Sequence, residues 1–470
     1  MLFNSFSFLL FFPIVTMLYF LLPHKARWFF LLSASCVFYM FFIPIYILIL
    51  LITIVIDYIA GIYIEKTVGE KRKIYLVVSI LSTCLVLFIF KYFNFFNTNF
   101  SLLADYFHLN YPIQTLNIIL PIGLSFHTFQ SLSYVIEVYR GNQKAEKHFG
   151  IYSLYVMFYP QLVAGPIERP QNMLHQFHEK HTFKYDDMVE GLKLILWGVF
   201  KKVVIADRLS LYVNSVYNNP NQHSGISLLV ATFFFAFQIY CDFSGYSDIA
   251  IGSGRVMGFR LMTNFRRPYF SQSVAEFWKR WHISLSTWFR DYLYISMGGN
   301  RVSKVRHYFN LFITFTVSGF WHGANWTYVI WGALNGIFLI IPQALKINLD
   351  KLQKSKFIIF IRIIKTFILI CFTWIFFRAN TFSDGILVIN KIVHLNGTLF
   401  IGGNKDMIYS TIFLLLLIIV EMVDEFKLSN GFSFFNHPKP YVRYFAYWSI
   451  SIIILLFGVF DGSQFIYFQF

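Results

Sequence analysis

Long apolar segments recur from one end of this chain to the other, and they limit its fold more than any other feature. Runs of roughly 15–20 apolar residues alternate with short polar stretches, and 57% of the 470 residues are hydrophobic. A helix of about 20 apolar residues crosses a bilayer because it satisfies its backbone hydrogen bonds internally. Charged residues make up 13% of the chain, against about 25% in soluble domains. The sequence therefore predicts an all-α, polytopic integral membrane protein and excludes a water-soluble one.

Basic loops set the predicted orientation, because Lys and Arg concentrate in cytoplasmic loops. The net charge of +16 therefore indicates topology and contact with anionic lipid rather than nucleic acid. Residues 255–306, the basic block, hold ten basic residues against Glu276 and Asp291, a net charge of +8, and are predicted to be cytoplasmic, as are residues 346–365. Threading the chain between such loops gives about 12 spans. Since no soluble block longer than about 50 residues interrupts them, residues 1–470 are predicted to form a single membrane domain.

Prolines mark two places where a straight span is not expected. The apolar run 28–64 is too long for one crossing and should break near Pro44. The segment "YPQLVAGPIERP" (159–170) carries prolines at positions 160, 166 and 170. Such a segment is predicted to be re-entrant or interfacial, and it must be buried in protein or line a cavity.

The segment 307–342 lies between two predicted cytoplasmic stretches and must therefore cross the membrane twice. Its 36 residues would form two helices of about 18 residues, each about 27 Å long. The turn falls beside His322 in "SGFWHGANWTYVIWG" (318–332), where Gly319 and Gly323 should loosen the helix. An ionisable side chain inside a membrane is a functional candidate by default, and imidazole suits a base that exchanges a proton near neutral pH. The alternative is a packed histidine hydrogen-bonded between helices.

Side chains around His322 are assigned supporting roles. Asn325, one helical turn further on, could orient the imidazole or donate to a developing oxyanion. Trp321, Trp326 and Trp331 are predicted to pack or to lie at the membrane interface rather than to stack on substrate.

A second candidate region is "FWKRWHISLSTWFRDYLY" (277–294). Its apolar residues recur at helical spacing, which predicts an amphipathic helix at or just below the cytoplasmic interface. They are Phe277, Trp281, Leu285, Trp288 and Phe289. His282 lies beside this stripe, and it is either an interfacial histidine or a second polar group of a reaction chamber.

Four cations close to this region could bind phosphate. They are Arg266, Arg267, Lys279 and Arg280. They could hold the phosphates of a nucleotide-bearing donor or those of lipid, although topology alone also explains them.

Two carboxylates, Asp242 and Asp248, lie in or beside a span, so each needs a partner. The stretch "GSGRVMG" is not a dinucleotide fingerprint, because its glycine spacing differs and it follows a span rather than a strand. The sequence contains no P-loop, HExxH, CxxC or GxSxG motif, and its four cysteines have no paired spacing. We therefore expect no metal and no resident cofactor.

Two classes of protein fit these residues. One is a transferase with a soluble, anionic donor, and the other is a transporter that uses His322 as a proton relay. Transporters often carry internal repeats with paired broken helices. The sequence shows no second copy of the histidine hairpin, which favours the enzyme.

At these motifs the sequence resembles the membrane-bound O-acyltransferase (MBOAT) superfamily, in particular its bacterial alginate O-acetyltransferase-like branch. The matching stretches follow one another over most of the chain. They are "PIGLSFHTFQSLSYVIEVYRG" (121–141), "YPQLVAGPIERP" (159–170), "GLKLILWGVFKKVVIADRL" (191–209), "QIYCDFSGYSDIAIG" (238–252), "RRPYFSQSVAEFWKRWHISLSTWFRDYLYISMGGNR" (266–301), "SGFWHGANWTYVIWG" (318–332) and the tail "FIYFQF" (465–470).

The resemblance implies a ring of tilted helices around a central funnel that opens to the cytoplasm, in the bacterial cytoplasmic (inner) membrane. It assigns catalysis to His322 and a second polar role to His282. It also implies acetyl transfer from cytoplasmic acetyl-CoA towards a hydroxyl of an extracytoplasmic polysaccharide, with an extracytoplasmic SGNH-type acetyltransferase as partner. Alginate, another exopolysaccharide, peptidoglycan and a partner-protein serine remain open as acceptors.

This chain departs from the family at one position. Relatives typically read "WGxxHG" after the histidine hairpin, whereas this chain reads "WGALNG", with Asn335 in place of a third imidazole. Within the same chemistry, the runner-up is a D-alanyl transferase of teichoic acids that uses a carrier-protein thioester.

Overall fold

The computed structural model describes residues 1–163, 165–346, 355–426, 434–460 and Ile466, and no β-strand occurs among them. Seven helical stretches in these residues are long and apolar enough to cross a membrane, and a shorter apolar helix covers Phe6–Leu21. The seven are Pro44–Lys66, Glu70–Tyr106, Gly225–Val256, Trp326–Ala344, Lys356–Arg378, Lys405–Glu425 and Pro440–Phe457. The all-α, polytopic prediction is confirmed. The predicted count of about 12 spans is not confirmed by these helices.

The chain divides into two compact units, and the prediction of a single domain stays a prediction. Unit 1 comprises Met1–Ile195 and Ile249–Met262. Its helices are α1 (Phe6–Leu21), α2 (His24–Met40), α3 (Ile47–Lys66), α4 (Glu70–Leu87), α5 (Phe93–Tyr106), α6 (Leu124–Arg140), α7 (Phe149–Met157), α8 (Tyr159–Leu162), α9 (Pro170–His178) and most of α10 (Tyr185–Val199).

In unit 1 the break near Pro44 and the burial of the proline-rich segment are confirmed, and its re-entrant or interfacial position stays a prediction. Helix α2 ends at Met40, and a 3₁₀ turn begins at Pro44 before α3 starts. The segment 159–170 contains only the four-residue α8, and α9 begins at Pro170, where the missing N–H costs no helical hydrogen bond. Its described residues up to position 168 are buried. This irregular backbone is therefore covered by protein rather than exposed to lipid.

Unit 2 comprises Leu196–Asp248 and Thr263–Phe470. A π-helical segment, Phe200–Ala206, continues directly from the end of α10. The helices that follow are α11 (Asp207–Tyr217), α12 (Gly225–Val256, up to residue 248 in this unit), α13 (Val274–Arg280), α14 (Ile283–Phe289), α15 (Lys304–His322), α16 (Trp326–Ala344), α17 (Lys356–Arg378), α18 (Phe382–His394), α19 (Asn404–Glu425) and α20 (Pro440–Phe457). Of the predicted cytoplasmic stretch 346–365, residues 347–354 lie outside the described residues, as does the tail 465–470 apart from Ile466.

Two lysines on the π-helical segment neutralise the carboxylates of α12. Lys202 Nζ lies 2.7 Å from Asp242 Oδ1 and 2.6 Å from Asp207 Oδ1. Lys201 Nζ lies 2.7 Å from Asp248 Oδ2. The second oxygen of Asp242 accepts a hydrogen bond from the Ile466 backbone N–H at 2.7 Å. The expectation that Asp242 and Asp248 each have a partner is confirmed.

Removing the central cation of this cluster should destabilise unit 2. In a Lys202→Met variant, Asp207 and Asp242 would be left close together and nearly fully buried without their counter-ion. Breaking a buried pair by removing one partner costs about 3–5 kcal/mol. We expect a lower midpoint of thermal unfolding for the purified protein in detergent. A matched Lys193→Met variant, which breaks a partly exposed pair with Glu190, should cost less than about 1 kcal/mol. Equal effects of the two variants would contradict this account.

Candidate functional site

The predicted pair of helices on either side of His322 is present, and its second helix, α16, is one of the seven stretches long and apolar enough to cross a membrane, whereas α15 is not. Helix α15 ends at His322, Gly323 is extended, and α16 begins at Trp326. The predicted turn at 324–325 therefore falls in the break between the helices. His322 lies at the end of α15 and is 4% exposed, so its imidazole is inside the protein rather than in lipid or water.

Glycine permits the close approach of the two helices. A Cβ atom on Gly319 would lie 2.2 Å from the Tyr328 carbonyl oxygen and 2.9 Å from Gly332 Cα. A Cβ atom on Gly323 would lie 2.2 Å from the Tyr328 ring. The expectation that Gly319 loosens the helix is wrong, because Gly319 is inside α15 and serves contact between backbones. Gly323 does mark the break.

Aromatic rings surround the His322 imidazole. Its ring centroid lies 4.8 Å from that of Trp321, 5.1 Å from that of Trp331 and 5.5 Å from that of Phe377. Trp331 in turn stacks on Trp374 at 5.5 Å. Trp321 and Trp331 are buried, as predicted for packing residues, and Trp326 is 54% exposed. Electrostatic interactions are stronger in such a low-dielectric setting than in water.

Asn325 caps α16. Its side-chain oxygen accepts a hydrogen bond from the Thr327 backbone N–H at 3.0 Å, and its Nδ2 donates to the Asn380 carbonyl at 3.4 Å. These bonds fix the start of α16 beside His322. The predicted role of Asn325 in orienting the imidazole or binding an oxyanion stays a prediction.

The predicted single amphipathic helix over 277–294 is wrong. Helix α13 ends at Arg280, and His282 adopts a left-handed backbone conformation with φ of 41° before α14 begins. The five apolar residues of the stripe are buried in protein, at 1–7% exposure, rather than resting against an interface. A non-glycine residue in this conformation is uncommon, although histidine adopts it more readily than most. The break places the His282 side chain inside the unit, at 1% exposure.

Asn264 holds His282 and fixes where its proton lies. Asn264 Oδ1 accepts from the Ser284 backbone N–H at 3.3 Å and from Ser284 Oγ at 3.0 Å, while Nδ2 donates to Ser247 Oγ at 3.1 Å. His282 Nδ1 lies 3.0 Å from the same Oδ1. Because that oxygen is an acceptor, Nδ1 is the donor. In the neutral ring, Nε2 therefore carries the lone pair.

The two histidines belong to one aromatic core. Trp281, adjacent to His282, lies 5.2 Å from Trp374, which stacks on Trp331, the ring that contacts His322. Phe243 packs edge-on against the His282 ring at 4.5 Å. Asp242, the residue before Phe243, forms an ion pair with Lys202, and its supporting role at the site stays a prediction.

The four predicted donor-binding cations divide into two groups. Arg266 and Lys279 are exposed. Arg267 Nε donates to Glu425 Oε2 at 2.8 Å, and Arg280 Nη1 donates to Glu425 Oε1 at 2.7 Å. Arg280 also pairs with Glu276 at 2.6 Å. The structure thus joins Arg267 and Arg280 through a carboxylate.

Asn335, the predicted departure from the family pattern, is fully buried on α16. Its Nδ2 donates to the Trp331 carbonyl at 2.8 Å, and its Oδ1 accepts from Trp278 Nε1 at 3.3 Å. An amide at this position therefore connects α13 to the hairpin.

Sequence reasoning missed several of these residues. The intramembrane charge rule that flagged Asp242 and Asp248 also applies to "KK" at 201–202, and it could have supplied their partners. No local pattern marks Asn264 or Glu425. Among the described residues, no group of three or more His, Cys, Asp or Glu side chains could hold a metal ion.

Comparison with known proteins places this site in a family. The family model for MBOAT, membrane-bound O-acyltransferase, matches residues 147–383, which include both histidines. A "Probable alginate O-acetylase AlgI" of Pseudomonas aeruginosa is 42% identical over 388 residues, or 81% of this chain and 72% of the relative. A "Peptidoglycan O-acetyltransferase" of Helicobacter pylori is 35% identical over 433 residues, or 84% of this chain and 80% of the relative.

A "Teichoic acid D-alanyltransferase" of Streptococcus thermophilus is 31% identical over 240 residues, or 47% of this chain and 57% of the relative. The similarity to the two acetylating relatives thus extends over much more of this chain. These matches agree with the helical membrane architecture and with the buried histidine at the hairpin break. The chain belongs to the membrane-bound O-acyltransferase family and is an O-acyltransferase.

Proposed function

We propose that this protein transfers an acetyl group from cytoplasmic acetyl-CoA to a hydroxyl on the outer side of the bacterial cytoplasmic membrane. The observation that carries the proposal is His322, buried among aromatic rings at the break of the α15–α16 hairpin. Two relatives are named as acetylating alginate and peptidoglycan, which favours an extracytoplasmic glycan as the final acceptor. An SGNH-type acetyltransferase would be the partner that completes delivery to the polysaccharide.

In the proposed reaction, His322 takes the proton of the acceptor hydroxyl as its oxygen attacks the thioester carbonyl. The tetrahedral intermediate then collapses, the C–S bond breaks, and the proton passes to the CoA thiolate. Atoms and charges therefore balance without a cofactor. A positioned general base contributes about 10²–10⁴-fold to the rate.

We propose that His282 relays this proton and does not serve as a hydrogen-bond donor to the oxyanion. With Nδ1 donating to Asn264, the Nε2 atom of neutral His282 can accept a proton but cannot donate one. Donation to an oxyanion would first require a second proton on the ring, whereas accepting a proton is open to the neutral tautomer as it stands. The charged ring is then a transient species that returns its proton from Nε2, so the Asn264 bond supports the relay assignment.

A second candidate within the same chemistry is D-alanyl transfer from a carrier-protein thioester, supported by the partial match to a teichoic acid D-alanyltransferase. The neighbouring genes distinguish the two reactions, because a carrier-protein gene favours D-alanylation and an SGNH-hydrolase gene favours acetylation. A transporter would move its cargo without cleaving the thioester. CoA release by the protein in proteoliposomes separates transfer from transport.

Replacing the proposed base should abolish transfer while leaving the fold intact. We expect His322→Ala to lower the rate of acetyl transfer from acetyl-CoA by at least about a hundredfold. The measurement is CoA release together with acetylated product in proteoliposomes that contain the acceptor. His307→Ala is the matched control, because His307 lies on the same helix but bonds to Tyr294 and Gln343. Near-native transfer by His322→Ala would refute the assignment of His322.

Asn264 should affect the rate of acetyl transfer through its hydrogen bond to His282. Asn264→Ala removes the acceptor of Nδ1, so we expect kcat to fall about tenfold or more, with little change in KM. Asn264→Asp keeps an acceptor at that point and should recover part of the lost kcat. The pH dependence of kcat should also shift in the alanine variant, since the bond that fixes the imidazole tautomer is lost.

The control for this comparison is Asn310→Ala. Asn310 is as buried as Asn264 but donates to the backbone carbonyls of Met297 and Gly299. Its loss should lower thermal stability and leave kcat per folded molecule unchanged. If both alanine variants lower kcat equally, Asn264 has only a structural role.

A further inference from the structure

Glu425, the last residue of α19, lies between two arginines that are far from it in sequence. Its Oε2 accepts from Arg267 Nε at 2.8 Å, and its Oε1 accepts from Arg280 Nη1 at 2.7 Å. Each carboxylate oxygen is therefore bound by a different guanidinium group. Two guanidinium groups that converge on one anion can bind a phosphate group as well as a carboxylate.

The backbone supports this convergence. Arg267 has φ of 42°, a left-handed conformation that residues with a side chain rarely adopt. The Arg266 backbone N–H donates to the Arg280 carbonyl at 2.9 Å, which ties the two arginine segments together. The two backbone segments that carry the arginines are thus joined independently of Glu425.

The cluster is also open to solvent. The side chains of Arg267, Arg280 and Glu425 are 38%, 22% and 16% exposed. Arg266 and Lys279 are exposed beside them. Because residues 255–306 are predicted to be cytoplasmic, a soluble anion can reach the arginines, and an ion pair at this exposure is weak enough to exchange.

We propose that Glu425 is a built-in competitor for the phosphates of the donor. In the unliganded protein its carboxylate occupies the Arg267–Arg280 pair, and a phosphate of the nucleotide-bearing donor replaces it on binding. Glu276 keeps its contact with Arg280 Nη2 and preserves the position of that side chain. This inference rests on the proposed function, since it requires a phosphate-bearing donor. Glu425 then sets the affinity for the donor without contacting the reacting atoms.

The alternative is that Glu425 only braces α19 against α13. The two accounts predict opposite changes in the affinity for anions when Glu425 is removed. A brace that is removed loosens the arginines and weakens anion binding, whereas a competitor that is removed leaves them available and strengthens it.

The test is the affinity for coenzyme A in the full-length protein reconstituted in nanodiscs of zwitterionic lipid. We expect Glu425→Gln to lower both the Kd for CoA and the KM for acetyl-CoA by roughly threefold to tenfold, with kcat unchanged. Asp424→Asn is the matched control, because it removes the same charge from the neighbouring exposed position on α19 and should leave CoA affinity unchanged. Arg267→Gln and Arg280→Gln should each weaken CoA binding.

Unchanged or weaker CoA binding in folded Glu425→Gln would overturn the inference, while acetyl transfer by the wild type would leave the proposed function standing. If Glu425→Gln does not fold, Glu425→Asp serves instead, because its shorter carboxylate withdraws from the arginines and should also tighten CoA binding. A wild-type protein that neither binds CoA nor uses acetyl-CoA would overturn both proposals.

Discussion

A buried polar group is costly unless it finds a partner inside the protein, and the functional parts of this chain depend on such pairings. In the membrane interior, water does not compensate an unmade hydrogen bond or an unpaired charge. Lys202 satisfies this requirement for two carboxylates at once. Asn264 satisfies it for the His282 ring, the Ser284 backbone and the Ser247 hydroxyl together. The same bonds that hold the fold also determine which imidazole nitrogen carries a proton.

Close packing at the hairpin likewise contributes both to the fold and to the position of His322. Gly319 and Gly332 bring α15 and α16 into contact through their backbones, so the turn between them is short. Asn325 caps the second helix directly after the break, so the Thr327 backbone N–H has a partner there. His322 is left at the end of the first helix among aromatic rings. A chemically useful side chain is thereby positioned by rigid elements, which is the arrangement that general-base catalysis requires.

Both histidines that the family resemblance singled out are buried in unit 2. At position 335, where the resemblance predicts an imidazole, this chain has an amide that bonds to Trp278 and to its own helix. The amide gives this position a packing role that needs no titratable group. The proposed chemistry of this chain accordingly uses two histidines, with the arginine pair and Glu425 controlling access of the donor.

The sequence by itself determined the class of the fold and the place of its principal break. Hydropathy and charge are properties of contiguous chain, so they were sufficient to predict helices in a membrane, the break near Pro44 and the hairpin at His322. They also showed that Asp242 and Asp248 needed partners, but not that Lys201 and Lys202 supply them.

Only the tertiary structure decided the remaining features of the site. The helical spacing at 277–294 could not reveal the left-handed backbone at His282, because both sides of that break are apolar and buried. Glu425 meets Arg267 across 158 positions of sequence. Such pairings depend on how distant helices pack, which no local pattern records, and they determine the orientation of His282 and the occupant of the arginine pair.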